Sequence, residues 1–236
     1  RKLEEIAKII RPQKITPTKI EFVDIAGLVK GAHLGEGLGN QFLGHIRNSD
    51  SILFVLRGFE GERVENLLGE INPQKEIEIL RLELLMKDLE TIEKAILKIQ
   101  AKEKKKMEIL KKIKEEVLKG KMISEIELEE KEKETIKEYQ FLTQKPYFCL
   151  VNINGKTKIP EIKIPHLLLN LKEEEEMLEF SEKERKELGI ESKIEELIKY
   201  CYQTLNLITF YTVAGGKETK AWTIPKGSLI LEAAGL

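Results

Sequence analysis

The stretch "IEFVDIAGLVKGAHLGEGLGNQF", Ile20–Phe42, sets an apolar run against Asp24 and then crowds five of the chain's sixteen glycines, at 27, 31, 35, 37 and 39, into thirteen residues. Asp24 to Gly27 reads D-x-x-G. The chemistry of that spacing is specific. An Asp at the C-terminal end of a strand can hold Mg²⁺, directly or through water. A glycine three residues on lets its backbone N–H approach a phosphate, because no Cβ intervenes. Further glycines would let the segment reorganise when that phosphate leaves. Four residues alone fit a blander reading better, an Asp that ends a strand and caps a helix or turn.

Outward from this stretch, the chain alternates strands with helices. Lys19–Gly27 reads as a strand running into a loop, and 40–48 as a helix. "DSILFVLRGF" (Asp50–Phe59) is a continuous apolar run, the pattern of a strand buried on both faces. "PYFCLVNING" (Pro146–Gly155) is a second such run and "IPHLLLNL" (Ile164–Leu171) a third. Strands separated by helical segments predict an α/β domain with a mostly parallel sheet. Between the runs lies an insertion of another texture. Leu82, Leu85, Leu89, Ile92, Ile96 and Ile99 follow a 3-4-3-4-3 spacing, a coiled-coil seam. The seam breaks at Ala101–Met107 and resumes at Leu110, Ile113 and Val117, which predicts two antiparallel helices. Lys102–Lys121 carries nine Lys against four Glu. That excess is either a phosphate-binding tip or a solvated one.

The ends of the chain extend this plan. Arg1–Ile10 predicts a helix with Leu3, Ile6, Ile9 and Ile10 on one face. Ser181–Leu205 is a helical zone opened by a capping box, Ser181 with Glu184. "LITFYTVAGGKETKAWTI" (Leu207–Ile224) predicts a hairpin across Gly215 and Gly216, with Trp222 in its core, and "PKGSLILEAAGL" the start of a helix. Over 236 residues, 40 basic side chains stand against 41 acidic ones, so any case for nucleic acid must be local. Cys149 and Cys201 are far apart in apolar stretches and read as buried free thiols of a reducing compartment. Nothing approaches a membrane span and the N-terminus is no signal peptide, so a soluble cytoplasmic protein without a membrane partner is expected.

The extended stretch from Ile20 to Phe59 resembles the switch II region of Obg-related P-loop nucleotide triphosphatases. "IIRPQKITPTKIEFVDIAGLVKGA" (Ile9–Ala32), the helical insertion and "LNLITFYTVAGGKETKAWTIPKG" (Leu205–Gly227) are similar to the YchF subfamily in particular. The resemblance implies an α/β P-loop nucleotide triphosphatase (G-domain) fold with a mostly parallel sheet, an inserted antiparallel coiled coil and the start of a β-grasp (TGS) domain. The expected divisions are 1–73 and 141–206 for the two parts of the nucleotide domain, 74–140 for the coiled coil and 207–236 for the partial TGS domain. It implies an enzyme that hydrolyses ATP, preferred, or GTP, with Mg²⁺ held at Asp24, and that associates with the ribosome and its RNA. TGS would offer a contact for other proteins. No G-x-x-x-x-G-K-[ST] occurs in the chain, and in such proteins that loop and switch I would lie before Arg1. Nucleotide binding is therefore expected of the intact protein rather than of these residues alone. The competing expectation is a non-catalytic ribosome- or RNA-binding module acting through the coiled coil and TGS portions.

Two departures from the usual G-protein pattern stand out. Ras-type proteins place a water-orienting Gln after the D-x-x-G glycine. Here the residue after Gly27 is Leu28, which has no hydrogen-bonding group. His33 is a candidate replacement, or merely a packing or solvated side chain. GTPases read guanine through N-K-x-D, whereas this chain has Asn152-Ile153-Asn154-Gly155 and no carboxylate at the fourth position. Adenine is then expected to be read by Asn152 and backbone groups, with Ile153 packing on the ring. Asn152 is equally explained as a turn residue. Lys172 either lies along the base or is a solvated side chain ahead of Glu173–Glu176.

Overall fold

The computed structural model describes residues 2–24, 46–61, 69–100, 102–159, 161–187, 189 and 191–235. Contacts divide the chain into two compact units, Arg1–Asp24 with Ile194–Leu236, and Ile25–Lys193.

The larger unit is built on a parallel sheet of order β2-β3-β4, with β2 at Ile52–Gly58, β3 at Tyr147–Ile153 and β4 at His166–Leu169. These are the three apolar runs of the sequence. Register places Arg57 beside Asn152 and Asn152 beside Leu169, so the three strands end together. β3 is central and buried from Phe148 to Val151. β2 departs from the two-face burial its composition suggested: it alternates, and Val55 is 55% exposed. It is an edge strand among the described residues, and Val55 points away from the covered face.

Two helices fill the insertion, α2 (Pro73–Lys98) and α3 (Lys104–Leu118). The Asn72 side chain caps α2 by accepting from Lys75 N, and Pro73 opens it. A connection of only five residues folds α3 back along α2, and Glu93 pairs with Lys114 across the two. The buried stripe differs from the expected seam. Leu85 and Ile92 of that seam are buried, but Leu82 is 56% exposed, whereas Ile77 and Leu84 off the seam are sealed and Asp88 is 1% exposed. The reason is that α2 packs on β2 and on the 3₁₀ turn Leu142–Gln144 as well as on α3, so one narrow seam cannot serve all of its neighbours. Asp88 satisfies that turn. Its carboxylate accepts from Leu142 N, Thr143 N and Thr143 Oγ1 at 2.7–2.9 Å.

The smaller unit holds α1 (Lys2–Ile10), β1 (Lys14–Thr16), a helix at Ile194–Thr204 and the hairpin of β5 (Leu207–Ala214) and β6 (Glu218–Pro225). Gly215 and Gly216 both have positive φ, 50° and 77°, and Lys217 N bonds Ala214 O. That is the mirror-image turn whose twist suits a hairpin. β1 extends this sheet in parallel, pairing Lys14–Thr16 with Glu218–Lys220. On α1, Leu3 and Ile6 of the predicted stripe are half-buried beside the buried Ala7, whereas Ile9 is 80% exposed. Trp222 is half-buried rather than core. It stacks on Phe210, carries the Lys220 ammonium over its ring and donates to Thr212 Oγ1.

Residues 19–24 form no strand, contrary to expectation. A strand needs a neighbour to accept its ladder, and none is supplied to these residues among those described.

Candidate functional site

In an open parallel sheet, ligands sit outside the carboxyl ends of the strands. Here those ends are Arg57-Gly58, Asn152-Ile153 and Leu169-Asn170. Each loop that leaves them is fixed by a side chain. Asn152 Oδ1 accepts from Leu171 N at 3.1 Å, tying the loop after β3 to that after β4. This leaves the Asn152 amide nitrogen, a donor, without a described partner. Asn170 caps the helix Leu171–Met177 by accepting from Glu173 N.

The loop after β3 is an Asx turn. Asn154 Oδ1 accepts from both Lys156 N and Thr157 N at 3.0 Å. Gly155 within it has φ +70°, with open space where a Cβ would stand. Backbone conformation, not crowding, therefore favours glycine at the position where G proteins carry their base-reading carboxylate.

The loop after β2 is held by Arg57. Its Nε donates to Phe59 O at 2.9 Å, Nη2 to Gly61 O at 3.4 Å, and the guanidinium lies 5.2 Å from the Phe59 ring centre. Its backbone N donates to the carboxylate of Glu76 on α2. Burial pushes the Glu76 carboxyl up, against the pull of Arg57. Glu60 N donates to Thr157 Oγ1 at 3.1 Å, joining the β2 and β3 loops. Gly58 is needed at this edge for want of room: a Cβ there would stand 2.6 Å from Val151 Cγ1.

A shallow recess of about 100 Å³ opens beside the β3 loop, walled by Ile153, Gly155, Asn170, Glu174, Met177 and Lys193 among others. Glu174 is buried and accounted for, accepting from Ser192 Oγ and Lys193 N. Lys172 is not on its wall. The Lys172 side chain is 82% exposed with its ammonium 3.8 Å from Glu176.

Of the metal-site candidates, Asp24 is exposed and makes no hydrogen bond or ion pair with a described residue. Among the described residues no cluster of three or more His, Cys, Asp or Glu could hold a metal ion. A single carboxylate would be enough for Mg²⁺, which takes one or two protein carboxylates and completes its shell with phosphates and water. Gly27, Leu28 and His33 lie outside the described residues.

The lysine-rich part of the insertion is largely neutralised within the fold. Lys106 pairs with Glu138, Lys112 with Glu132, Lys114 with Glu93, and Lys119 and Lys121 with Glu116. Lys102, Lys104, Lys105 and Lys111 are exposed and make no ion pair with a described residue.

Residues 5–126 match a family described as 50S ribosome-binding GTPase. Curated relatives named ribosome-binding ATPase YchF align over nearly all of the chain. The one from Buchnera aphidicola (Schizaphis graminum) is 40% identical, covering 99% of this chain and 70% of its own length. Those from Bacillus subtilis and Escherichia coli O157:H7 are each 36% identical and 71% covered. The chain belongs to the YchF family. The YchF GTPase structure from Schizosaccharomyces pombe matches with a TM-score of 0.80 at 28% identity, covering 99% of this chain and 70% of that one. The fold is thus that of a P-loop nucleotide hydrolase.

Proposed function

We propose that the intact protein is a Mg²⁺-dependent nucleoside triphosphatase that prefers ATP to GTP and binds the ribosome in a nucleotide-dependent way. The base preference rests on the Asn152–Gly155 turn. With Oδ1 occupied by Leu171 N, Asn152 offers a donor that suits purine N7, which adenine and guanine share. Gly155 offers no carboxylate to the N1–H and amino group of guanine. Those donors would be buried unpaired, which costs about 1–3 kcal/mol. Adenine has no such N–H at position 1, and Ile153, on the recess wall, packs against the ring. Lys172 fits the solvated reading better than the base-side one.

Asp24 would hold Mg²⁺ through water, and the ion would neutralise charge on the phosphates. Gly27 would present its N–H to the terminal phosphate. Leu28 cannot orient the attacking water, so His33 or a partner must, and slow unassisted hydrolysis is expected. The ribosome contact draws on the relatives' names and, for RNA, on the four exposed lysines at and beyond the hairpin turn, which have no ion-pair partner among the described residues. Contact through phosphates weakens steeply with salt. TGS-type contacts to other proteins and a cytoplasmic setting complete the proposal; no described helix is long and apolar enough to cross a membrane.

The deciding measurement is direct titration of the intact protein with ATP and GTP. Tighter ATP binding, with Mg²⁺ dependence lost in Asp24→Ala, is expected. GTP binding as tightly as ATP would overturn the base argument. If P-loop variants pellet with ribosomes as the wild type does, the protein is instead a binding module to which nucleotide is incidental.

A further inference from the structure

We infer that Arg57 is a positioning residue for nucleotide binding: it sets the loop after β2 against the loop after β3 and so fixes the shape of the nucleotide edge. This rests on the nucleotide reading above. Arg57 stands near the end of the apolar run of β2, beside Asn152 on the adjoining strand. An arginine is an odd residue in such a run. Its guanidinium is planar and carries its donors in a rigid fork. Here that fork turns back on the chain, donating to the Phe59 and Gly61 carbonyls while Phe59 lies against it. The loop Phe59–Gly61 is thereby held at both ends. Between them, Glu60 N donates to Thr157 Oγ1, and Thr157 is itself fixed by Asn154. From beneath, Glu76 of the helical insertion accepts from Arg57 N. The chain of contacts runs from α2 through Arg57 to the Asx turn that follows Asn152 and Ile153. Lysine could keep the charge but not the two-carbonyl fork.

A residue that only shapes the bound ground state affects substrate and transition state alike, so its loss raises KM and leaves kcat. The test uses full-length protein with Arg57→Lys, Arg57→Ala and Thr157→Val, reading steady-state ATP hydrolysis, affinity for a fluorescent ADP analogue and the thermal midpoint. Both Arg57 variants are expected to raise KM and the ADP Kd by roughly five- to tenfold, the size of one or two lost hydrogen bonds, with kcat within about twofold. Thr157→Val should move the same way by less. Wild-type KM in folded Arg57→Lys would overturn the fork argument, and a fall in kcat at unchanged KM would overturn positioning altogether. If Arg57→Ala does not fold, the Lys and Thr157 variants still decide. Wild-type protein that binds no nucleotide would sink the function reading; wild type that binds while the variants match it sinks only this one.

Discussion

Single residues at the sheet's C-terminal edge carry most of what can be tested about the site. Gly58 has no room for a side chain, because its neighbours Val151, Asn152 and Ile153 close on it. Gly58→Ala should cost about 1–3 kcal/mol through overpacking, read as a lower urea midpoint with unchanged slope. It should also weaken nucleotide binding, because the atoms displaced belong to the strand that carries Asn152. Asn152-Ile153-Asn154-Gly155 was legible as a turn after a strand, since Asn and Gly have distinct reasons to be there. What the pattern could not show is which atom of Asn152 is occupied. That depends on Leu171 N, nineteen residues away. Arg57 left no signal either, being one charged residue at the end of an apolar run. Its role comes from carbonyls two and four residues on, a local geometry that periodicity does not encode.

At the scale of elements, the strands and the hairpin were readable because apolar runs and paired glycines are strong local signals. The face of α2 was readable only in part: Leu85 and Ile92 are buried as the seam requires, but Leu82 is not, and Ile77, Leu84 and Asp88 are buried beside it. A heptad seam assumes one partner helix, and α2 has a sheet and a 3₁₀ turn to cover as well. The cost is a buried acid. Burial pushes Asp88 up to about 6, while the Thr143 and Leu142 donors hold it back. Because its pKa is raised in the folded state, its contribution is greatest below about 4, the unfolded value, and is lost as pH rises to about 6. Asp88→Asn turns an amide N–H toward a backbone N–H and should cost about 1–3 kcal/mol. The wild-type advantage over Asp88→Asn should shrink between pH 4 and 6 in urea unfolding. An advantage that is flat or growing across that range would contradict the assignment. Residues 19–24 make the complementary point, since strand propensity is met only where a neighbouring strand accepts the ladder.

Across the whole molecule, the smaller unit joins the two ends of the sequence in one sheet. β1 pairs with β6, Thr16 Oγ1 donates to Glu218 at 2.6 Å, and Lys14 lies 3.2 Å from the same carboxylate. These partners hold the Glu218 carboxyl below its ordinary value. β1 should therefore be only as stable as the hairpin it joins. Replacing Gly215 and Gly216 together by Ala forces two side chains into left-handed backbone and should loosen the hairpin. Amide exchange at Lys14–Thr16 should then rise with that at Glu218–Lys220. Protection of β1 that survives the double substitution would show that it is held by something else.

The same pairing imposes an order on synthesis. Thr16 and Glu218 are 202 residues apart, so β1 leaves the translating ribosome long before its partner strand exists. At about 5–20 residues per second the wait is roughly 10–40 s. The residues of the larger unit, Ile25–Lys193, emerge within that interval and can settle first. The short strand that leads into the D-x-x-G segment then waits for its place, and a chain stalled before Glu218 leaves it without the partner strand it has in this sheet.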